Sequence, residues 1–175
     1  MFHLASLSLA APNNSSCGST QPSPVPDCGS VDLGSCGNAC CIADFKGSFN
    51  IKDFYSQITD FLKKGGDDGS FAYITGPDAA GHNPGDDLTP YGIAWQYVWQ
   101  GTHTTTGGYV DTIDFNIKKA SDDATEEAVV RVSSRSNIHG ALGDNGQNHK
   151  NVMSVMNTLR YRSPTPTIVH GCGKA

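Results

Sequence analysis

Apolar and polar residues recur along this chain with two different periods, and the switches between them predict its elements. In "NIKDFYSQITDFLKKGG", the residues Ile51, Phe54, Tyr55, Ile58, Phe61 and Leu62 fall three and four apart in one continuous stripe. That spacing lies on one side of a helix. Asn50 stands where an N-cap belongs, with Asp53 near the positive end of the helix dipole. Lys63 and Lys64 suit the other end, and Gly65 or Gly66 can stop the helix in a left-handed conformation. Period two takes over in "IADFKGSF" (42–49), "FAYIT" (71–75), "YGIAWQYVWQ" (91–100), "YVDTIDFNIKK" (109–119) and "EEAVVRVSSR" (126–135). Each reads as a strand with one mainly apolar face. Trp95, Tyr97 and Trp99 share a face by this period, expected in the core under the helices, with an exposed aromatic platform as the alternative. A second helix over 147–161 carries Val152, Val155, Met156 and Leu159, and "SPTP" ends it. The order β-α-β-β-β-β-α groups strands together instead of alternating them with helices. It implies an α+β fold, an antiparallel sheet of about five strands covered on one face by two helices.

The termini differ from this body. Residues 12–41 are rich in Pro, Ser, Gly, Asn and Cys and show no hydrophobic period, so they read as an irregular arm. The organisation expected is an arm over 1–41, a globular domain over 42–162 and a tail over 163–175. The first residues, "MFHLASLSLAAP", resemble the apolar region and small-residue cleavage site of an export signal, without its positive start. Asn13 and Asn14 lie in N-x-S sequons.

The cysteines Cys17, Cys28, Cys36, Cys40, Cys41 and Cys172 form an even set confined to the two ends. Disulfides account for the even count, the clustering and the export-like start together, and imply an arm pinned by covalent bonds. The Cys36/Cys40 spacing would suit zinc, but no second ligand pair accompanies it. No apolar run approaches the ~20 residues that a membrane-spanning helix requires. The formal charge of −5 and the absence of a basic run argue against nucleic acid as a partner.

Candidate chemistry concentrates in "SSRSNIHGALGDNGQNHKNVMSVMNTL", where Gly140, Gly143 and Gly146 precede the last helix. A phosphate cradle would need Lys-Ser/Thr after its last glycine, or a βαβ setting, and neither is present. The alternative is a turn that aims the helix, with Asp144 and Asn148 as caps and "DNG" suited to positive φ. Ser133, Ser134 and Ser136 are not in G-x-S-x-G, and His139 and His149 lack an evident orienting partner. His82, His103, His139 and His149 never fall at metal spacing, and the acid pairs at 67–68, 86–87 and 122–123 lack the alternate-position oxygens of a calcium loop. No cofactor or catalytic residue is expected.

"YVDTIDFNI", then "VVRVSSRS", then "DNGQN" ahead of a terminal helix resembles the domain of unknown function 1499 family across roughly residues 42–161. The corresponding positions are Asp111 to Phe115, Ser133 to Arg135, and Asp144, Gly146 and Asn148. The loop "SNIHGALG" is about four residues longer than the family pattern. His149, Lys150 and Asn151 stand where the family tends to place basic residues. The resemblance implies a protein with no established activity, found in bacteria and in plastids, with some members in the thylakoid lumen. At these positions Arg135 would fork onto Asp144, Gly146 would supply the turn and Asn148 would cap. The same residues, if exposed, would form an anion site. The reading that follows is a non-catalytic, extracytoplasmic protein-interaction module. Its setting would be that of an accessory lumenal subunit of a photosynthetic membrane complex, such as a photosystem, docked through the arm. The alternatives are a secreted small-ligand or lipid binder with its guest between sheet and helices, and, last, a hydrolase.

Overall fold

In the computed structural model the described residues are 39–48, 50–75, 85–87, 90, 95–119, 127–138, 143–159 and 165–173. They form β1 (Cys40–Ser48), α1 (Ile51–Lys63), β2 (Phe71–Tyr73), β3 (Tyr97–Thr104), β4 (Val110–Lys119), β5 (Glu127–Ser136), α2 (Gln147–Thr158) and β6 (Thr167–Gly171). The fold is α+β, as the periodicities require. The strands make one six-stranded sheet in the order β2-β3-β4-β5-β1-β6, with every neighbouring pair antiparallel.

The α1 helix begins and ends for the reasons its sequence supplies. The Asp53 N–H donates to Asn50 Oδ1 at 3.1 Å, and Gly65 and Gly66 close the helix at positive φ. Its stripe of Phe54, Ile58, Phe61 and Leu62 is buried against the sheet. Facing it are alternate residues of each strand: Phe45 and Ala43 on β1, Val130 and Val132 on β5, Ile113, Phe115 and Ile117 on β4, and Trp99 on β3. Their register aligns them in rows, with Phe115 opposite both Trp99 and Val132. Trp99 stacks on Phe115 at 5.6 Å between centroids, and Tyr55 and Phe54 meet it edge-on at 5.3 and 6.3 Å. From α2, Val152, Val155 and Met156 complete this layer. Side chains from the sheet and from both helices meet in this one core cluster.

Two expectations are corrected. Trp95 does not share a face with Tyr97 and Trp99. The strand starts at Tyr97, so the period-two rule does not reach back across the bend at 95–96. Trp95 lies instead under Lys118 Nζ, at 4.8 Å, and Arg131 Cζ, at 5.0 Å, on the side of the sheet away from the helices. Arg131 there also forks onto Asp44, with its Nε 2.7 Å and Nη2 2.8 Å from the two carboxylate oxygens.

The second correction concerns the tail. Residues 167–171 are a sixth strand, paired to β1, so the sheet extends into the segment read as a tail and, at Cys40, into the segment read as the arm. The Cys41–Cys172 disulfide closes the same edge across 131 residues of sequence. Gly171 and Cys172 both have positive φ, and this hook brings the Cys172 N–H to the Cys40 carbonyl at 2.8 Å. A Cβ on residue 171 would stand 2.2 Å from that carbonyl oxygen, so only glycine fits. Cys40 is buried beside Ile42, outside the core cluster that contains Cys41. Cys17, Cys28 and Cys36, the sequons and the export-like start lie outside the described residues.

Candidate functional site: a polar seam, its cleft and an open edge

At one end of the helix-facing layer the strands switch from apolar to polar without losing their phase. His103 on β3, Asp111 on β4, and Ser134 and Ser136 on β5 occupy the positions that Trp99, Phe115 and Val132 hold further along. The α2 helix supplies the partners. Ser134 Oγ donates to Asn148 Oδ1 at 2.6 Å and accepts from Asn151 Nδ2 at 3.1 Å. Asn151 Nδ2 also donates to Asp111 Oδ2 at 2.8 Å, and Gln147 Nε2 donates to Asn151 Oδ1 at 2.8 Å. Asn148 Nδ2 donates to the Ala39 carbonyl at 2.9 Å and to Asp144. Two strands, the residue before β1 and one helix are thus joined through buried, hydrogen-bonded groups, the arrangement in which polar burial specifies a unique docking geometry.

Asp144 caps α2 as expected. Its Oδ1 accepts from the Gly146 N–H at 3.0 Å and its Oδ2 from the Asn148 N–H at 2.7 Å. Gly146, at φ 74°, supplies the left-handed turn before the helix. Asn148 is not a cap. It is fully buried, and its side chain anchors the helix to β5 and to the start of β1.

The expected Arg135–Asp144 fork is not made. Arg135 lies between Ser134 and Ser136, and strand alternation sends it to the opposite side of the sheet from the seam. Asp144 already spends its oxygens on the turn and on Asn148. One guanidinium nitrogen, Arg135 Nη1, is buried without a hydrogen-bond partner. The four motif residues therefore do not converge on one anion pocket: Asp144, Gly146 and Asn148 come together, and Arg135 stands apart.

His103 and Asp111 were not legible as a pair. They are cross-strand neighbours in the β3–β4 register, with His103 Nδ1 3.5 Å from Asp111 Oδ2. The His103 ring packs against Phe71 at 4.9 Å. The available signal was polar residues on the apolar phase of strands, Asp111 and Ser134 above all. His103 also belongs to an open cleft of about 650 Å³ whose walls include Asp68, Ser70, Thr104, Thr105, Thr106 and Gln147. The Ser70 hydroxyl donates to Asp68 Oδ1, and the Ser70 N–H donates to the same oxygen at 2.9 Å. These bonds, the hydroxyl first, hold the Asp68 carboxyl below its ordinary pKa.

Of the other candidates, Ser134 is committed to the two asparagines, His149 is on α2 and His139 and His82 fall outside the described residues. Among the described residues no three His, Cys, Asp or Glu side chains cluster as metal ligands would, and no helix is long and apolar enough to cross a membrane. Comparison with protein-family models, with curated proteins and with solved structures returns no match.

At the opposite end of the strand order, β6 is the outermost strand among the described residues. Ile168 and Val169 are 48% and 43% exposed. His170 faces Ile42 and Ile168 faces Ala43, so Val169 is the extra residue of a β-bulge. The strand carries no Lys, Glu or Pro of the kind that usually discourages edge pairing.

The seam makes a stability prediction of its own. Asn148→Ala removes one partner of Ser134 Oγ and one partner of the Ala39 carbonyl in a buried site. A loss of about 1–3 kcal/mol is expected by urea denaturation, the cost of stranding buried polar groups. Arg135→Ala should cost less than Asn148→Ala, since no partner is stranded. The reverse order would show that the motif is held by the arginine.

Proposed function

We propose that this protein is a non-catalytic, extracytoplasmic interaction module that binds an extended segment of a partner protein along its β6 edge. The observation that carries the reading is the edge itself. A strand with two exposed β-branched residues, free of gatekeeper charges, is fastened to the sheet by a disulfide rather than left to fray. A partner strand laid against β6 would gain main-chain hydrogen bonds, with Ile168 and Val169 supplying side-chain contacts. The bulge limits such pairing to a short segment and opposes open-ended aggregation. The disulfide supports an oxidising compartment. The motif resemblance points to the lumen of a photosynthetic membrane, with an accessory role beside a membrane complex and the cysteine-rich arm as a second docking element.

The test compares the native chain with the variant I168K/V169K in blue native electrophoresis of source extracts. Both side chains are exposed, so the variant should keep the melting temperature of the native protein. The native chain is expected to migrate with a larger assembly and the variant alone. Migration of the native chain at its own mass, or retention of the variant in the assembly, would sink the edge-binding reading. The compartment is checked separately by alkylating under denaturing, non-reducing conditions. Cys41 and Cys172 should be unmodified, and labelling of both in freshly lysed cells would exclude an oxidising location.

A further inference from the structure

We propose that the cleft beside His103, on the opposite edge of the sheet from β6, is a binding site for a small polyhydroxylated molecule, a sugar residue or polyol. The starting observation is a buried imidazole in the cleft wall whose Nδ1 faces a buried carboxylate without closing to a hydrogen bond. His103 is only 5% exposed, and its Nδ1 is buried without a hydrogen bond, although Asp111 Oδ2 is 3.5 Å away. A phenylalanine would pack against Phe71 equally well and leave no polar atom to strand. A histidine here, facing a buried carboxylate, is therefore costly for the fold and asks for another use.

Nδ1 faces the Asp111 carboxylate, so Nε2, which is not among the buried atoms, is the ring nitrogen left to a ligand hydroxyl, a group that can donate to it or accept from it. Asp111 is itself held by Asn151 from α2, so the ring is oriented by a support that does not depend on the ligand.

The other polar groups of the cleft define what can bind. Asp68 spends Oδ1 on Ser70 and presents its second oxygen as a charged acceptor. Gln147 gives its Nε2 to Asn151, which leaves its carbonyl as an acceptor. The three threonine hydroxyls at 104–106 can donate or accept. Among the described residues no lysine or arginine lines the cleft. A phosphate or carboxylate would meet the Asp68 carboxylate and the Gln147 carbonyl and would be repelled. A molecule with several adjacent hydroxyls brings donors to Asp68 and Gln147, acceptors to the threonines, and to Nε2 a hydroxyl that serves in either role. The site is independent of the β6 edge and does not rest on the protein-contact reading.

The experiment follows the imidazole carbons of His103 and the Thr104–Thr106 amides by heteronuclear NMR of the full chain. Glucose, mannose and myo-inositol are titrated through the millimolar range. Methylammonium chloride and sodium phosphate are the comparison arms at matched ionic strength. A saturable shift at His103 and at the threonine amides is expected with at least one of the polyols. His103→Phe keeps the packing on Phe71 and should weaken binding about tenfold, the effect of losing one hydrogen bond. Asp68→Asn should weaken it by a smaller factor. Should His103→Phe fail to fold, Ser70→Ala, which frees Asp68 on the exposed rim, replaces it and should change the affinity measurably. No saturable shift with any polyol would overturn the proposal. So would saturation by methylammonium or phosphate alone, or unchanged affinity in His103→Phe or its replacement.

Discussion

Loss of the Cys41–Cys172 bond in the paired variant C41A/C172A is expected to lower unfolding free energy by up to about 5 kcal/mol. A crosslink that spans 131 residues removes far more entropy from the unfolded chain than a short loop does, and the chain-entropy relation gives roughly this value as its upper figure. Against a total of about 5–15 kcal/mol for a typical domain, the loss would remove between a third and all of the stability. The variant is preferred to simple reduction because it leaves any other disulfide of the chain intact. The effect should also be graded: β6 pairs only with β1 among the described strands, so its amides should exchange by local opening, while those of β4 and β5 should speed up only as far as global stability falls. Urea denaturation measures the first expectation and hydrogen exchange the second. A loss below about 1 kcal/mol would mean that the unfolded chain is already compact enough for the crosslink to be nearly redundant.

Phe54→Ala should cost about 3–5 kcal/mol, the usual range for an aromatic side chain truncated in a packed core. Phe54 is fully buried on α1 and meets Trp99 edge-on, where Trp99 is itself stacked on Phe115. The cavity would therefore open in the middle of the aromatic layer, where strands of fixed register cannot close in. Phe61, packed on Phe71 nearer the edge at β2, should cost less, because that end has room to relax. Equal and small losses at both sites, below about 1 kcal/mol, would show that the helix stripe is not the core it is taken to be.

The interior of the fold was readable because its signals are local. The α1 stripe, the Asn50 cap and the alternation along β4 each depend on residues within one element, and the helix and strand periods register them directly. The capping role of Asp144 and the turn at Gly146 were visible for the same reason. The failures lie where locality ends. β6 is five residues long, behind a proline-rich segment, and its exposed side chains leave no buried period to detect. Trp95 sits just before a strand, and its side of the sheet depends on where pairing begins, a matter decided by β4.

For the candidate site the division is sharper. The chain by itself established which residues share a face: Ser134 and Ser136 on one side of β5, Arg135 on the other, Asn148 and Asn151 three apart on one side of α2. Those relations follow from backbone geometry and need no partner. Only the tertiary structure decided what each face meets. It set β1 between β5 and β6, chose Cys172 as the partner of Cys41, brought α2 onto Ser134 and Asp111, and put His103 opposite Asp111 at the mouth of a cleft. These are contacts between residues far apart in sequence, fixed by how the layers pack together. A period read along one element carries no information about which other element lies across from it.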